Sequence, residues 1–138
     1  MTAQTTKEPV RRWYEAWNTR AMEVSDETVG EEVVVHIENG DDIRGLENYR
    51  QFVLAFWDAF SDIDLTIERM VAEDDVVLVR SHFKATHTGA FMGLPPTGEA
   101  VAWRFHNIYR VADGKWVEAW TLADSLSMMQ QLGAIPTA

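Results

Sequence analysis

The sequence predicts an α+β fold in which helices pack against one face of a mostly antiparallel sheet. Three observations predict it. Apolar residues recur at helical spacing in the first sixty residues and again after residue 124, four strand-like segments lie between, and 46% of the 138 residues are hydrophobic, enough for one core. No repeat, low-complexity tract or linker interrupts the chain, so residues 1–138 read as a single domain.

Residues 7–20 place Val10, Trp13, Tyr14 and Trp17 on one helical face. Val33-Val34-Val35-His36-Ile37 is a short β-branched strand, and Asn39-Gly40-Asp41-Asp42 turns the chain. From Leu46 to Phe60, Tyr49, Phe52, Val53, Phe56 and Phe60 describe a second helix with a broad aromatic face. Strands are expected over residues 63–72, 76–88, 101–111 and 116–122. A last helix spans residues 124–131, with Gly133 placed to end it.

The final hairpin sorts residues into inner and outer faces. A two-residue Asp113-Gly114 turn sets Asn107 opposite Trp120; a three-residue Ala112-Asp113-Gly114 turn sets Asn107 opposite Ala119 and Phe105 opposite Thr121. The second gathers Trp103, Phe105, Asn107, Tyr109, Val117, Ala119 and Thr121 on one largely apolar face, as a ligand pocket requires. Arg104, His106, Arg110, Trp116, Glu118 and Trp120 fall on the other, a mixed charged and aromatic surface suited to water or to a second copy of the chain.

Composition narrows the function. With 12 Lys+Arg against 22 Asp+Glu the net charge is -10, which repels phosphate backbones, so neither nucleic acid nor an anionic membrane surface is an expected partner. There is no cysteine, hence no disulfide or thiolate metal site, and the N-terminus has no apolar signal region. A soluble cytoplasmic protein is expected. The sequence contains no Gly-rich phosphate loop, no His-Glu-x-x-His and no Gly-x-Ser-x-Gly elbow. The Glu73-Asp74-Asp75 cluster has the wrong spacing for a calcium loop and reads as a hairpin turn. No cofactor and no metal are expected.

One stretch is more specific: Thr86-His87-Thr88-Gly89-Ala90-Phe91-Met92-Gly93-Leu94-Pro95-Pro96-Thr97-Gly98, followed by Tyr109-Arg110-Val111-Ala112-Asp113-Gly114-Lys115 and Gln131-Leu132-Gly133. With Tyr14-Glu15-Ala16-Trp17-Asn18 near the start, these segments resemble, in order and spacing, the SnoaL-like polyketide cyclases and ester cyclases. The resemblance implies a nuclear-transport-factor-2-like cone, in which a strongly bent, mostly antiparallel sheet and its helices enclose one pocket and the convex face supports a homodimer. It also implies a ring-closing enzyme with an aspartate on the final strand as general acid/base and a histidine on the preceding strand holding the oxyanion. Aligned without a gap, those positions are Thr121 and Asn107 here. Threonine carries no proton near neutral pH, whereas Asn107 retains a hydrogen bond for a carbonyl or enolate oxygen.

Other groups are therefore weighed. The resemblance puts His36 at a pocket-lining position, where a neutral imidazole serves as base; alone, it reads equally as a partly exposed strand-end histidine. Asp124 lies where the family often carries an acid near the mouth, but before Ser125-Leu126-Ser127 an aspartate caps a helix, and that chemistry is preferred. His87 reads as structural, fixing the bend before the Gly93-Leu94-Pro95-Pro96 loop, and Met128 and Met129 read as core filler. The catalytic candidates are thus His36, Asn107 and Asp124. The substrate-binding candidates are Trp17, Phe56, Trp103, Phe105, Tyr109, Ala119 and Thr121.

The function expected is cofactor-independent proton transfer on a hydrophobic, carbonyl-bearing, polyketide-like molecule, a cyclase or isomerase. The alternatives are a hydroxylase or hydratase on the same scaffold, or a non-catalytic small-molecule binder.

Overall fold

A computed structural model describes residues 2–137. Helix α1 (Ala3–Thr19) starts ahead of its apolar periodicity because Thr2 and Thr5 cap each other, Thr5 N donating to Thr2 Oγ1 at 3.2 Å and Thr2 N to Thr5 Oγ1 at 3.0 Å. It buries Val10, Trp13 and Tyr14 and ends at a left-handed Arg20, whose guanidinium donates to the carbonyls of Trp57 and Phe60 at 2.7 and 2.6 Å. A 3-10 turn (Met22–Val24) and a four-residue helix α2 (Ser25–Thr28) follow. Neither is long enough to display a period in the sequence.

Strand β1 (Val29–Ile37) begins four residues before the β-branched run. The extra length includes Gly30, where a Cβ would sit 2.8 Å from Val117 Cγ1, so only glycine lets the strands approach this closely. A two-residue strand β2 (Ile43–Arg44) pairs back onto β1 where a turn alone was expected. Helix α3 (Leu46–Ala59) buries Tyr49, Val53, Phe56 and Trp57 and passes directly into β3 (Phe60–Glu73). Strands β4 (Val76–His87), β5 (Ala100–Ala112) and β6 (Lys115–Ala123) complete a sheet ordered β2-β1-β6-β5-β4-β3. All pairs are antiparallel except β1 with β6, as the mostly antiparallel expectation required. Irregularities at 61–64 and 67–69 in β3, 29–34 in β1 and 110–111 beside β6 bend the sheet. Helix α4 (Ser125–Gln131) ends at a left-handed Gly133.

The last hairpin follows neither expected register. Asp113 and Gly114 both have positive φ, 53° and 79°, so the turn is the two-residue kind, with Ala112 opposite Lys115 and Val111 opposite Trp116. An extra residue, Val117, then bulges from β6 and moves the ladder by one, which sets Asn107 opposite Thr121 and Tyr109 opposite Ala119. The bulge leaves Phe105, Asn107, Tyr109, Ala119 and Thr121 on one face as predicted. It corrects two positions: Trp116 points inward and is 1% exposed, while Val117 joins an outer groove beside Gly30, Arg110 and Glu118.

Inner and outer faces alternate cleanly on β4, where Val77, Val79, Ser81, Phe83, Ala85 and His87 are all buried. Buried His87 has the structural role read for it. Its Nδ1 accepts from Thr97 N at 3.2 Å and its backbone bonds Glu99 and Gly98, closing the loop between β4 and β5. Gly89 donates to Ala59 O at 3.0 Å so tightly that a Cβ there would lie 2.3 Å from Asp58 O, a backbone atom. Replacing Gly89 by Ala is therefore expected to cost about 1–3 kcal/mol, read as a lower denaturation midpoint with unchanged slope; a midpoint equal to the wild type would show that the loop yields freely.

Candidate functional site

Between helices α1 and α3 and the inner face of the sheet lies a cavity of about 660 Å³. The size suits a small organic ligand. Its walls are aromatic because inward strand positions and the apolar helix faces carry rings: Trp13 and Trp17 from α1, Tyr49, Phe52 and Phe56 from α3, and Phe83, Phe105 and Trp116 from the sheet. These rings brace one another edge to face; Trp17 meets Phe56 at 5.5 Å and Trp116 meets Tyr109 at 5.1 Å. The mouth is built by three segments, Glu38-Asn39-Gly40, Ala90-Phe91-Met92, and Ser125 with Met128 and Met129.

A polar cluster interrupts this apolar lining. The hydroxyls of Tyr14 and Tyr109 are 2.7 Å apart, and Asn107 Nδ2 donates to both, at 3.0 and 3.2 Å. Asn107 Oδ1 and Ser81 Oγ are buried without a partner. Burial pushes the pKa of Tyr14 up, against hydrogen bonds from Tyr109, Asn107 and Ser81 that favour its anion, and burial raises Tyr109 well above the usual phenol. Both tyrosines are thus neutral proton donors across the physiological range.

Of the predicted site residues, the structure gathers Trp17, Phe56, Phe105, Asn107, Tyr109, Ala119 and Thr121 around this cavity. Three others lie elsewhere. Trp103 is 3% exposed but packs within the core, behind the lining residue Phe83 at 5.0 Å and beside Phe60 at 5.7 Å, and is not itself a lining residue. Asp124 caps α4, its Oδ1 accepting from Ser127 N at 3.2 Å, and is not a lining residue. His36 alternates with the inward Val35 and Ile37, so its ring lies on the outer face, stacked on Trp120 at 5.4 Å. There Nδ1 meets Asp42 at 3.0 Å and Nε2 meets Glu118 at 2.7 Å. It is not among the residues that line the cavity.

The sequence reading passed over Tyr14 and Ser81. Ser81 had a visible signal, a lone hydroxyl among inward apolar positions of β4, but Tyr14 is indistinguishable from a core aromatic until α1 is set against β5. Asn107 Nδ2 contacts both tyrosine hydroxyls, where the sequence reading had it donating to a carbonyl or enolate oxygen. Glu38, exposed at the mouth, is the one carboxylate among the lining residues.

The family model for SnoaL-like polyketide cyclases matches residues 7–132. Among solved structures, the chain is similar to AclR, a hydroxylase candidate from Streptomyces galilaeus, at 27% identity and a TM-score of 0.88, over 99% of this chain and 86% of that one. It is similar to wild-type IdmH, a polyketide cyclase candidate from Streptomyces antibioticus, at 30% identity and a TM-score of 0.80, over 93% and 98% of the two chains. A SnoaL-like polyketide cyclase candidate from Jannaschia sp. CCS1 shares the fold at a TM-score of 0.89 with 23% identity, over 97% and 95%. No curated protein sequence matches significantly.

The outer placement of His36 has a measurable consequence. The hydrogen bond to Glu118 raises the His36 pKa above its ordinary 6.5, and the same bond lowers that of Glu118 below its ordinary 4.5. The His36 contribution to stability is full below about pH 6.5 and is lost as pH rises through the raised folded value. That of Glu118 is full above about pH 4.5 and is lost as pH falls through the lowered one. His36→Gln should therefore lower Tm most between about pH 4.5 and 6.5, and progressively less above. Cavity ligands should bind this variant normally, and a parallel loss of binding would return His36 to the site.

Proposed function

Because the chain belongs to the SnoaL-like polyketide cyclase family, we propose that it acts on a hydrophobic, carbonyl-bearing small molecule bound among the cavity aromatics. The observation that carries this reading is the hydrogen-bonded group of Tyr14, Tyr109 and Asn107 set in an otherwise apolar wall. A tyrosine O–H that is already oriented donates to a carbonyl oxygen and strengthens as that oxygen gains charge on enolisation. Asn107 holds both hydroxyls in place, so no reorganisation is needed as charge develops. With Thr121 where the family's acid would stand, the proton acceptor is assigned to Glu38 at the mouth, which also admits water. For a substrate already activated at carbon, holding the chain in reactive geometry supplies a large share of the acceleration. This is cyclase or isomerase chemistry.

A second reading, hydroxylation, is favoured by the likeness to AclR and by the replacement of the acid at Thr121. The same cavity and donors would then orient an electron-rich ring toward its oxidant.

The protein is further proposed to act as a homodimer. Val71, Leu78, Ile108 and Trp120 face one another in successive strands of the outer sheet face and are 50%, 41%, 37% and 40% exposed, a continuous apolar row that a second copy would cover. Trp116, once counted with this surface, does not contribute to it.

Two experiments test the proposal. Tyr14→Phe should reduce turnover of a polyketide-like aromatic ketone by about 10²-fold with little change in ligand affinity; undiminished turnover would remove the tyrosine from the chemistry. Trp120→Glu should convert a dimer to a monomer in sedimentation at micromolar protein, and a wild-type monomer would dispose of the dimer.

A further inference from the structure

On the outer face the imidazole of His36 lies between two carboxylates. Nε2 is 2.7 Å from Glu118 Oε2 on β6, and Nδ1 is 3.0 Å from Asp42 Oδ1, the residue just before β2. An ionised carboxylate only accepts, so both contacts are hydrogen bonds only when both ring nitrogens carry hydrogen. The arrangement is that of the imidazolium. A neutral ring keeps one N–H and must set a lone pair against the other carboxylate. The surroundings decide which contact survives. Glu118 is the nearer partner, and Arg110 Nε on β5 holds its other oxygen at 3.2 Å. Asp42 has only Arg44 on β2, an exposed side chain, at 3.4 Å. Trp120, stacked on the ring, brings no charge. The remaining N–H therefore stays with Glu118, and Asp42 is released.

Asp42 ends the loop 38–42 between β1 and β2, and the start of that loop, Glu38-Asn39-Gly40, is one lip of the cavity. Two backbone bonds shape the lip whatever the pH: Glu38 N donates to Thr121 O at 3.1 Å and Gly40 N to Ile37 O at 3.0 Å. The far end is tied by the contact of His36 with Asp42. All three lip residues are exposed and Asn39 is held left-handed, at φ 62°, so little else opposes opening once a tie is lost. We propose that protonated His36 is a latch that holds this lip through Asp42, and that loss of its proton frees the lip and speeds passage into and out of the cavity. The latch lies outside the cavity, so it sets rates and leaves affinity unchanged. Because the bond to Glu118 raises the His36 pKa, release falls above pH 6.5. The inference rests on the cavity being a small-molecule site and adds a proton-dependent entry to it.

Hydrogen exchange at the Glu38 and Gly40 amides, corrected for the intrinsic effect of pH, tests the latch with no ligand present. In the wild type, protection should fall about tenfold, the equivalent of one hydrogen bond, as the His36 ring titrates. His36→Phe, which keeps the stack on Trp120, and Asp42→Ala should show the low protection at every pH, while amides of β4 stay protected in all three proteins. Stopped-flow quenching of the cavity tryptophans by 1-tetralone, which does not itself titrate, tests the entry. Association and dissociation should both quicken about tenfold over the same pH range in the wild type, at constant affinity, and be uniformly fast in both variants. Protection that is flat across the His36 titration, or variants that keep the wild-type step, overturns the latch. A loosened lip with unchanged rates overturns the control of entry and means that ligands pass another side of the mouth. If 1-tetralone does not bind at millimolar concentration, the small-molecule reading falls and the control of entry with it, while exchange still decides the latch.

Discussion

Helix α1 is tied by buried hydrogen bonds both to helix α3 and to the sheet, and these ties fix where it stands over the cavity. Trp13 Nε1 donates to Tyr49 OH at 2.9 Å, Tyr14 meets Tyr109 at 2.7 Å, and the Asn18 side chain bonds both the carbonyl and the N–H of Leu65 at 3.0 and 2.7 Å. Each tie joins groups that burial would otherwise leave unsatisfied, so breaking one costs more than the bond itself is worth. Rings of tryptophan and tyrosine serve as rigid spacers between the layers. An aliphatic interior would close over such a space, whereas large aromatics braced edge to face leave room between them.

Much of this was legible from the sequence. The register of the final hairpin identified Phe105, Asn107 and Tyr109 as inward, and its two faces survive the bulge at Val117 because the three-residue register and the observed one share the same parity. The bulge itself was not legible. Nothing in Lys115-Trp116-Val117-Glu118 announces an extra residue, and Trp116 was placed on the wrong face as a result; the signal lies across the sheet, where Gly30 allows β1 to come close to Val117.

The candidate site divides in the same way. Residues whose direction follows from strand parity or helix periodicity, such as Trp17, Phe56 and Thr121, reached the cavity. Residues assigned by chemical type did not: His36 attracted attention as the imidazole best suited to move a proton, yet parity with Val35 and Ile37 already pointed it away. Trp103 shows a third case, since a side chain on the correct face is still excluded when neighbouring rings lie between it and the opening. The cluster of Tyr14, Tyr109 and Asn107 depends on α1 meeting β5 and cannot be read from either alone.

The parallel pairing of β1 with β6 also governs how the molecule assembles. Val35 and Ile37 sit beside Ala119 and Thr121, more than eighty residues away along the chain, whereas β3, β4 and β5 join through successive antiparallel neighbours. Loop closure over that span is the slowest contact in the fold to form. A nascent chain emerging from the ribosome can zip its β3–β5 meander early, but the wall containing Thr121 is absent until β6 is made, so the cavity is not enclosed before then.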